Sequence, residues 1–338
     1  MITRKWKIII FSETWRGSLG YFCYKALVSL GHDVRLYDYR FGPRFIRKRR
    51  IQRLISFIVG KNLIDKVNRF APDMVFILKG ESISPKILEK IRRKGIILFN
   101  WNPDNPFNMA TSTKEYLKSI PIYDCHFTWG RFLIERLLDE GARRVEYLPF
   151  AFDPEFHFPD QSPKEAPISS VYDVIFIGTW DREREEVLEK ISDYNLAIWG
   201  NNWHSVRKNS PLRKCWMGSA KYGPQMAKIV SSAKIVLNLV RKQNRPAHNM
   251  RTFEIPACRG FMLATDTPEQ KEFLAEGREA VYFTDISDLR EKIDYYLRNS
   301  EEREKIAKAG YQKVQKETYL KRMEKVIQVL EEIENKKR

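Results

Sequence analysis

Residues 249–261 read Asn-Met-Arg-Thr-Phe-Glu-Ile-Pro-Ala-Cys-Arg-Gly-Phe. An apolar run at 234–240 and a basic loop at 241–248 come before this stretch, and a second apolar run follows at 261–264. Short apolar runs bounded by loops are typical of buried strands, so the stretch between them is predicted to form a short helix in a strand–helix–strand unit. We expect Gly260 to end that helix as its C-cap.

Two charged residues of this helix carry the functional prediction. Arg251 and Glu254 lie three residues apart and therefore share a face. A helix that begins at the carboxyl end of a parallel strand points its free N–H groups into the crevice where nucleotides bind. The arginine suits a diphosphate and the carboxylate suits two ribose hydroxyls, which together predict a sugar-nucleotide site. The alternative is a surface ion pair on a solvated helix.

Length and composition are those of a globular protein with two domains. The chain has 338 residues, 43% of them hydrophobic. Its formal charge of +17 calls for an anionic partner, which leaves nucleotides, nucleic acids, acidic glycans and anionic lipids open. The four cysteines are far apart, with no histidine at metal-ligand spacing, so we expect reduced thiols and no metal site.

The N-terminus, the length of the apolar runs and one basic segment indicate where in the cell the protein is expected. The N-terminus runs straight into a strand, and no apolar run reaches transmembrane length, so a cytoplasmic protein is expected. Residues 44–58 combine an apolar side with a cluster of basic residues, which favours contact with an anionic membrane on its cytoplasmic face or with an acidic acceptor. A solvated basic helix face is the alternative.

The first half begins with a βαβ pattern and carries two loops of interest. Gly17 and Gly20 follow the first strand and would bring the backbone close to an acceptor, although a plain tight turn is an equal explanation. The loop 102–108, Asn-Pro-Asp-Asn-Pro-Phe-Asn, follows the strand ending at Trp101. Its Asn102 is placed on the acceptor side, and Asp104 is either a turn former or a general base for the acceptor hydroxyl.

The second half repeats the alternation of strands and helices after a proline-rich stretch. We predict an α/β fold of two doubly wound Rossmann-like domains facing a cleft. The acceptor-side domain spans 1–155, the linker 156–170 and the donor domain 171–318, and a terminal helix at 319–338 packs back towards the first domain. A single long charged helix is expected from Glu301 onwards.

Several segments resemble the CgeB-like spore-maturation family of glycosyltransferases, which has the two-domain GT-B fold. They lie mostly in the second half: Phe176-Ile-Gly178, Arg184-Glu-Glu-Val-Leu188, Tyr222-Gly-Pro224, Met226-Ala-Lys-Ile229, Val236-Leu-Asn238, Asn249 to Gly260, Phe273, Glu276-Gly277 and Ile306-Ala-Lys-Ala-Gly310. Residues 101–107 and 147–154 add weaker matches in the first half. The resemblance implies transfer of a sugar from a nucleoside-diphosphate sugar, with UDP, GDP or dTDP as the carrier, to a glycan, lipid-linked or protein acceptor.

The resemblance also implies which residues would bind the donor. Glu254 would contact the ribose, and Arg182 or Arg184 would face the diphosphate. Glu272 is similar to an acidic residue that follows the next strand, without the glycine pair that usually precedes it. The acidic residue often found about eight positions before Glu254 is absent, because that place falls near Pro246 and His248. Neither retention nor inversion of the anomeric configuration is therefore predicted.

The complete set of predicted donor-binding residues comprises Gly178, Arg182, Arg184, Tyr222, His248, Asn249, Arg251, Glu254 and Glu272. No Asp-x-Asp loop is present, which favours a metal-independent reaction without a cofactor. Three other functions stay open: a sugar-nucleotide epimerase or hydrolase of the same fold, a basic nucleic-acid-binding protein, and a sugar-nucleotide sensor without turnover. Nucleic acid is not the expected partner, because the sequence carries no recognised nucleic-acid-binding signature.

Overall fold

The structure is a computed structural model that describes residues 4–39, 49–160 and 172–337. It divides into two compact units. The first unit comprises Met1–Pro149 together with Tyr319–Arg338, and the second comprises Phe150–Thr318. Residues 150–155, which the sequence assigned to the first domain, thus cluster with the second unit. Most of the predicted linker, residues 161–170, lies outside the described residues.

The first unit is a six-stranded parallel sheet with helices between the strands. Its elements are β1 (Lys7–Phe11), α1 (Leu19–Ser29), β2 (Asp33–Tyr37), α2 (Arg49–Phe70), β3 (Met74–Leu78), α3 (Pro85–Arg92), β4 (Ile97–Trp101), α4 (Lys114–Ser119), β5 (Cys125–Thr128), α5 (Ile134–Asp139), β6 (Val145–Tyr147) and the last helix, α13 (Tyr319–Lys337). The strand order β2-β1-β3-β4-β5-β6 reverses between β1 and β3. Ligands of open parallel sheets bind beyond the carboxyl ends of strands at such a reversal.

The second unit is a second six-stranded parallel sheet. Its elements are β7 (Tyr172–Ile177), α6 (Arg182–Glu189), β8 (Leu196–Trp199), α7 (Leu212–Cys215), β9 (Trp216–Gly218), α8 (Pro224–Ser231), β10 (Ala233–Asn238), α9 (Arg251–Ala257), β11 (Met262–Thr265), α10 (Pro268–Phe273), β12 (Val281–Phe283), α11 (Ile286–Arg298) and α12 (Ser300–Val314). The order β12-β11-β10-β7-β8-β9 reverses between β7 and β10. Two parallel α/β sheets confirm the predicted fold class.

The long charged helix predicted from Glu301 onwards is two helices, and the second of them coincides with the terminal helix predicted at 319–338. The helices α12 and α13 are separated at residues 315–318, where the backbone N–H of Phe152 donates to the carbonyl oxygen of Glu317 at 3.1 Å. This pairing takes a carbonyl that a continuous helix would use internally. No proline or glycine lies at residues 315–318, and the charge pattern continues across them, so the helix boundary was not predicted.

Helix α13 closes the first unit although it follows the second in sequence. It packs on α1, where the rings of Tyr319 and Phe22 stack with centroids 5.1 Å apart. Tyr319, Met323 and Leu330 are buried on its inner face. Burial of such a stripe, rather than intrinsic helix propensity, supplies most of a helix's stability.

Candidate functional site

The Arg251 side chain reaches from α9 to the end of the neighbouring strand β7. Its Nε donates to the carbonyl oxygen of Ile177 at 3.1 Å, and Nη1 lies 3.5 Å from the Sδ atom of Met226. Only 22% of the side chain is exposed. Because β7 and β10 flank the reversal of strand order, Arg251 is held at the place where an α/β sheet binds its ligand.

Glu254 pairs with Arg251 inside the unit, not on a solvated surface. The Nη1 atom of Arg251 contacts Oε2 of Glu254, whose side chain is 5% exposed. A carboxylate buried to this degree needs partners for both oxygens. Oε1 of Glu254 lies 3.5 Å from Nε2 of His157. The alternative of a solvent-exposed ion pair is therefore wrong.

His157 is a site residue that the sequence did not point to. It lies beyond residues 147–154, and its Nδ1 accepts the backbone N–H of Asp153 at 3.1 Å. With Nδ1 accepting, the proton of the neutral ring sits on Nε2, which faces Glu254. Burial lowers the pKa of His157, against the opposing effect of Glu254, so the ring is neutral at pH 7. No spacing rule links residue 157 to residue 254, and only the folded chain brings them together.

Arg184 is a buried cation that ties two strand ends together. Its Nη1 donates to the carbonyl oxygen of Thr179 at 2.8 Å and its Nη2 to that of Leu239 at 3.1 Å. Burial lowers the pKa of Arg184 to about 10, and repulsion from Arg241 and Arg251 adds to the effect. Arg184 is still cationic at neutral pH, and the effect of Arg241 and Arg251 on its pKa places both of them near it.

Arg241 approaches Arg184 from the loop after β10. Its Nε donates to Oδ2 of Asp181 at 2.7 Å, and 31% of its side chain is exposed. The sequence placed Arg241 in a basic loop but did not select it among the donor-binding residues. Three arginines (184, 241 and 251) lie here with the carboxylates of Asp181 and Glu254, and Glu183 also acts on Arg184. An anion bound here would offset the repulsion that Arg241 and Arg251 exert on Arg184. We call these three residues the arginine cluster.

Gly178 directly follows β7, at a position where an added side chain would meet the ring of Phe176. A Cβ atom on Gly178 would lie 2.6 Å from Cζ of Phe176. The carbonyl oxygen of Gly178 accepts the indole N–H of Trp203 at 2.8 Å, and a Cβ on Gly200 would overlap that same oxygen. Close packing within the unit thus accounts for Gly178, which remains a predicted donor contact.

Asn249 belongs to a buried polar network in front of α9. Its Nδ2 donates to Oδ1 of Asn238 at 2.8 Å, and Nδ2 of Asn238 donates to Oε1 of Gln270 at 2.9 Å. The hydroxyl of Thr252 donates to the same Gln270 oxygen at 2.9 Å. Connected hydrogen bonds of this kind favour one backbone arrangement. This network holds the loop that presents Arg251.

His248 is a core histidine. It is 0% exposed, its Nε2 accepts the backbone N–H of Phe150 at 3.2 Å, and its Nδ1 lies 3.1 Å from Oε2 of Glu269. With both ring nitrogens engaged inside the unit, the structure gives His248 a packing role in place of the predicted phosphate contact. Glu269 is the buried carboxylate of α10, whereas the predicted Glu272 is exposed.

The other predicted residues of the second unit lie nearer its surface. Arg182 is 54% exposed and pairs with Glu186 at 2.9 Å. Tyr222 is 41% exposed and precedes Gly223, whose φ is +55°. Gly260 does not adopt the left-handed conformation expected of a C-cap; Arg259 does, with φ +59°. A Cβ on Gly260 would instead lie 2.5 Å from Cγ1 of Val230, so close packing explains this glycine.

In the first unit, Asp104 lies beside a lysine that the sequence left out. Its Oδ2 is 3.0 Å from Nζ of Lys79, and Oδ1 of Asn102 accepts its backbone N–H at 3.0 Å. Lys79 follows β3 with φ +70°, and Glu81 is its second partner at 3.5 Å. Burial opposes the charge of Lys79, yet Glu81 and Asp104 together raise its pKa.

Gly17 and Gly20 shape the turn after β1. Gly17 has φ +100°, and a Cβ on Gly20 would lie 2.5 Å from the carbonyl oxygen of Glu13. The structure therefore accounts for both glycines by turn geometry and by close approach of α1 to β1. An acceptor contact at either glycine stays a prediction.

The described part of the chain contains neither a group of metal-ligating side chains nor a helix that could span a membrane. Among residues 4–39, 49–160 and 172–337, no three His, Cys, Asp or Glu side chains are grouped as metal ligands would be. Within the same ranges, every helix is too short or too polar to cross a membrane. Of the predicted membrane-contacting segment, 44–58, residues 44–48 lie outside the described residues. Residues 49–58 form the start of α2, and the side chains at 49–57 are outside the description.

Comparison with known proteins agrees with this geometry. Residues 182–328 match a family described as glycosyl transferase-like. The spore protein CgeB of Bacillus subtilis (strain 168) is 24% identical over 262 residues, which cover 73% of this chain and 78% of CgeB. Sucrose-phosphate synthase from Thermosynechococcus elongatus superposes with a TM-score of 0.72 at 12% identity, covering 98% of this chain and 99% of the synthase.

A further solved structure is Anabaena HepE in complex with UDP-glucose. It has a TM-score of 0.67 at 11% identity and covers 97% of this chain and 100% of HepE. The two parallel sheets and these solved structures show that the chain has the GT-B fold. Its residues 182–328 are similar to a glycosyltransferase family, and the chain is similar to CgeB, in line with the resemblance seen in the sequence.

Proposed function

We propose that the chain transfers a sugar from a nucleoside-diphosphate sugar, bound by the second unit, to an acceptor hydroxyl without the help of a metal ion. The arginine cluster is the observation that carries this proposal. The buried Arg184 is repelled by Arg241 and Arg251, and the attraction of Asp181 and Glu183 opposes that repulsion. A bound anion would offset the repulsion further. HepE, which shares the fold, was solved in complex with UDP-glucose.

The reaction breaks the bond between the anomeric carbon and the diphosphate oxygen and forms a bond from that carbon to the acceptor oxygen. Negative charge grows on the departing diphosphate. Arginines 184, 241 and 251 would stabilise that charge, and groups fixed in advance where charge develops usually supply the largest catalytic contribution. Fixed guanidinium groups can take over the charge neutralisation that a divalent metal provides elsewhere.

The acceptor hydroxyl must lose its proton, and we assign Asp104 as the base that takes it. Support comes from its position after β4 at the carboxyl edge of the first sheet and from its contact with Lys79, which fixes where the carboxylate lies. A general base needs its unprotonated form at the working pH. The acceptor itself stays open among glycans, lipid-linked sugars and proteins.

A thermal-shift screen tests the donor site. UDP, GDP, ADP, dTDP and CMP, and their sugars, are added with and without EDTA. The nucleotide that binds should raise the melting temperature, and a ligand at 100 times its dissociation constant stabilises the folded state by about 2.7 kcal/mol. We expect the shift to survive EDTA and to vanish in Arg251→Ala and Glu254→Ala.

Other outcomes identify the rival functions. Release of free sugar or an isomerised donor without an acceptor indicates a hydrolase or an epimerase. A shift without any turnover over a broad acceptor panel indicates a sensor. The absence of a shift from every nucleotide, combined with duplex binding that weakens steeply with salt, would overturn the proposal in favour of a nucleic-acid-binding protein.

A further inference from the structure

Residues 150–158 contact residues 248–258 of the second unit at three points. The backbone N–H of Phe150 donates to His248, and the backbone of Phe158 hydrogen-bonds Cys258. Between these points, the His157 ring faces Glu254. The chain around Asp153 forms a tight turn, in which the N–H groups of Phe156 and His157 donate to its carbonyl oxygen at 3.0 and 2.8 Å. This turn fixes where the His157 ring lies.

The partners of Glu254 leave room for one kind of ligand. An ionised carboxylate offers about four lone pairs to hydrogen-bond donors. Among the described residues, Arg251 engages Oε2 and His157 faces Oε1, so each oxygen has one partner there. Each oxygen can still accept a hydrogen bond from a ligand. Two neighbouring hydroxyl groups, such as those of a ribose, match that pair of acceptors.

We propose that His157 is a positioning residue of the donor site, holding the Glu254 carboxylate in the orientation in which it accepts both ribose hydroxyls. The inference rests on the proposed function, because it presumes that a nucleotide binds beside Arg251. It adds a residue from outside the 249–261 motif, 97 positions before Glu254 in the chain. His157 itself does not touch the reacting atoms.

The neutral state of His157 suits this role. A neutral N–H donor orients the carboxylate without cancelling its charge, whereas a cation would compete with Arg251 for it. Burial lowers the pKa of His157, which keeps the ring neutral under physiological conditions. A neutral amide that donates from the same place should therefore replace the imidazole.

Two substitutions of His157 distinguish the contribution of Nδ1 from that of Nε2. In His157→Asn, the shorter side chain can still accept the Asp153 N–H but does not reach Glu254. In His157→Gln, the longer amide can donate to Glu254. His157→Phe keeps an aromatic ring without a donor and serves where the Asn variant does not fold. His126→Gln is the matched control, since His126 is a buried histidine of the first unit that contacts the Ile120 carbonyl.

Binding is measured by calorimetry with UDP, GDP and ADP, which share the ribose, and with inorganic pyrophosphate, which lacks it. We expect His157→Asn to raise the Kd of the nucleotide that binds by about tenfold, the effect of losing one hydrogen bond to a charged group, and to leave pyrophosphate binding unchanged. His157→Gln should restore nucleotide binding to within about threefold of wild type, and His126→Gln should change neither ligand.

Failure of the proposed role of His157 can be distinguished from failure of the proposed function. Equal weakening of nucleotide and pyrophosphate by His157→Asn, or no weakening of either, would overturn the role of His157 while leaving the donor site in place. A Gln variant as weak as the Asn variant would also overturn it. If the wild-type protein binds none of the four probes, and neither dTDP nor CMP in the thermal-shift screen, the proposed function fails and the inference fails with it.

Discussion

The Nε atom of Arg241 donates to Oδ2 of Asp181 at 2.7 Å, while Oδ1 of the same carboxylate accepts the backbone N–H of Arg184 at 3.0 Å. Asp181 is the N-cap of α6, so one carboxylate both begins a helix and anchors an arginine from the loop after β10. Arg241 is the most exposed member of the arginine cluster, at 31% against 22% for Arg251 and 14% for Arg184. It is therefore the member best placed to meet an incoming anion.

Arg241→Ala should weaken binding of a nucleoside diphosphate. Loss of a charge-assisted contact to phosphate should raise the Kd by about 10- to 50-fold. Arg241→Lys keeps the charge but lacks the planar guanidinium group. Its Kd should therefore lie between those of wild type and Arg241→Ala. Titration calorimetry with the nucleotide selected by the thermal-shift screen measures both. Arg290→Ala, which removes a surface arginine paired with Asp193 in the same unit, is the control. Equal Kd values for Arg241→Ala and wild type would remove Arg241 from the site.

Asp104→Asn should reduce turnover with little effect on donor binding. Removing a general base typically costs a factor of about 10²–10⁴ in rate. Steady-state kinetics with an acceptor give kcat, and calorimetry gives the donor Kd. Asp139→Asn, an exposed acid at the end of α5, controls for the change of charge. Unchanged turnover would exclude Asp104 as the base.

Gly200→Ala should destabilise the second unit more than Gly178→Ala. The added methyl at Gly200 would overlap a backbone oxygen, that of Gly178, which cannot move without disturbing the end of β7. At Gly178 the obstacle is the far end of the Phe176 ring, which can shift. We expect a loss of about 2–4 kcal/mol for Gly200→Ala and about half of that for Gly178→Ala. Urea unfolding followed by tryptophan fluorescence measures both, and the reverse order would contradict the packing argument.

The stability of the first unit should fall as the pH drops below 6.5. Burial lowers the pKa of His126 from 6.5 to about 4, while its Nε2 donates to the Ile120 carbonyl at 3.0 Å. The unfolded chain takes up a proton at this histidine from about pH 6.5 downwards, and the folded chain does so only near pH 4. Stability is thus lost across that window, by about 3 kcal/mol.

His126→Gln removes the titrating group and should flatten the curve of unfolding free energy against pH between 6.5 and 4. The pKa values of His32 and His157 are also lowered, so these two histidines still contribute to the pH dependence of the unfolding free energy in the variant. Urea unfolding at a series of pH values gives the slope. A slope in the variant equal to that of wild type would show that His126 does not titrate differently in the folded and unfolded chains.

The local patterns of the sequence predicted the fold and part of the site. Alternating apolar runs and helices predicted both sheets, since a parallel strand buried on both faces leaves a continuous apolar signature. The spacing of Arg251 and Glu254 predicted their contact, because helix geometry brings residues three apart together. Both signals are short-range.

What the sequence missed depends on long-range contacts. His157 meets Glu254, and Lys79 meets Asp104, across distances along the chain that no periodicity spans. His248 was misassigned for a related reason: proximity to the motif in sequence placed it near the ligand, whereas Phe150 and Glu269 draw its ring into the core. Gly260 was assigned to a cap when its lack of a Cβ serves packing against Val230.

The position of α13 bears on how the chain folds as it is synthesised. The second unit interrupts the first in sequence, so residues 1–149 leave the ribosome before the helix that covers α1 exists. Phe22 stays without its stacking partner Tyr319 until the whole second unit has emerged. The second unit therefore completes its contacts earlier, and the nascent first unit carries an uncovered apolar face that invites chaperone binding during synthesis.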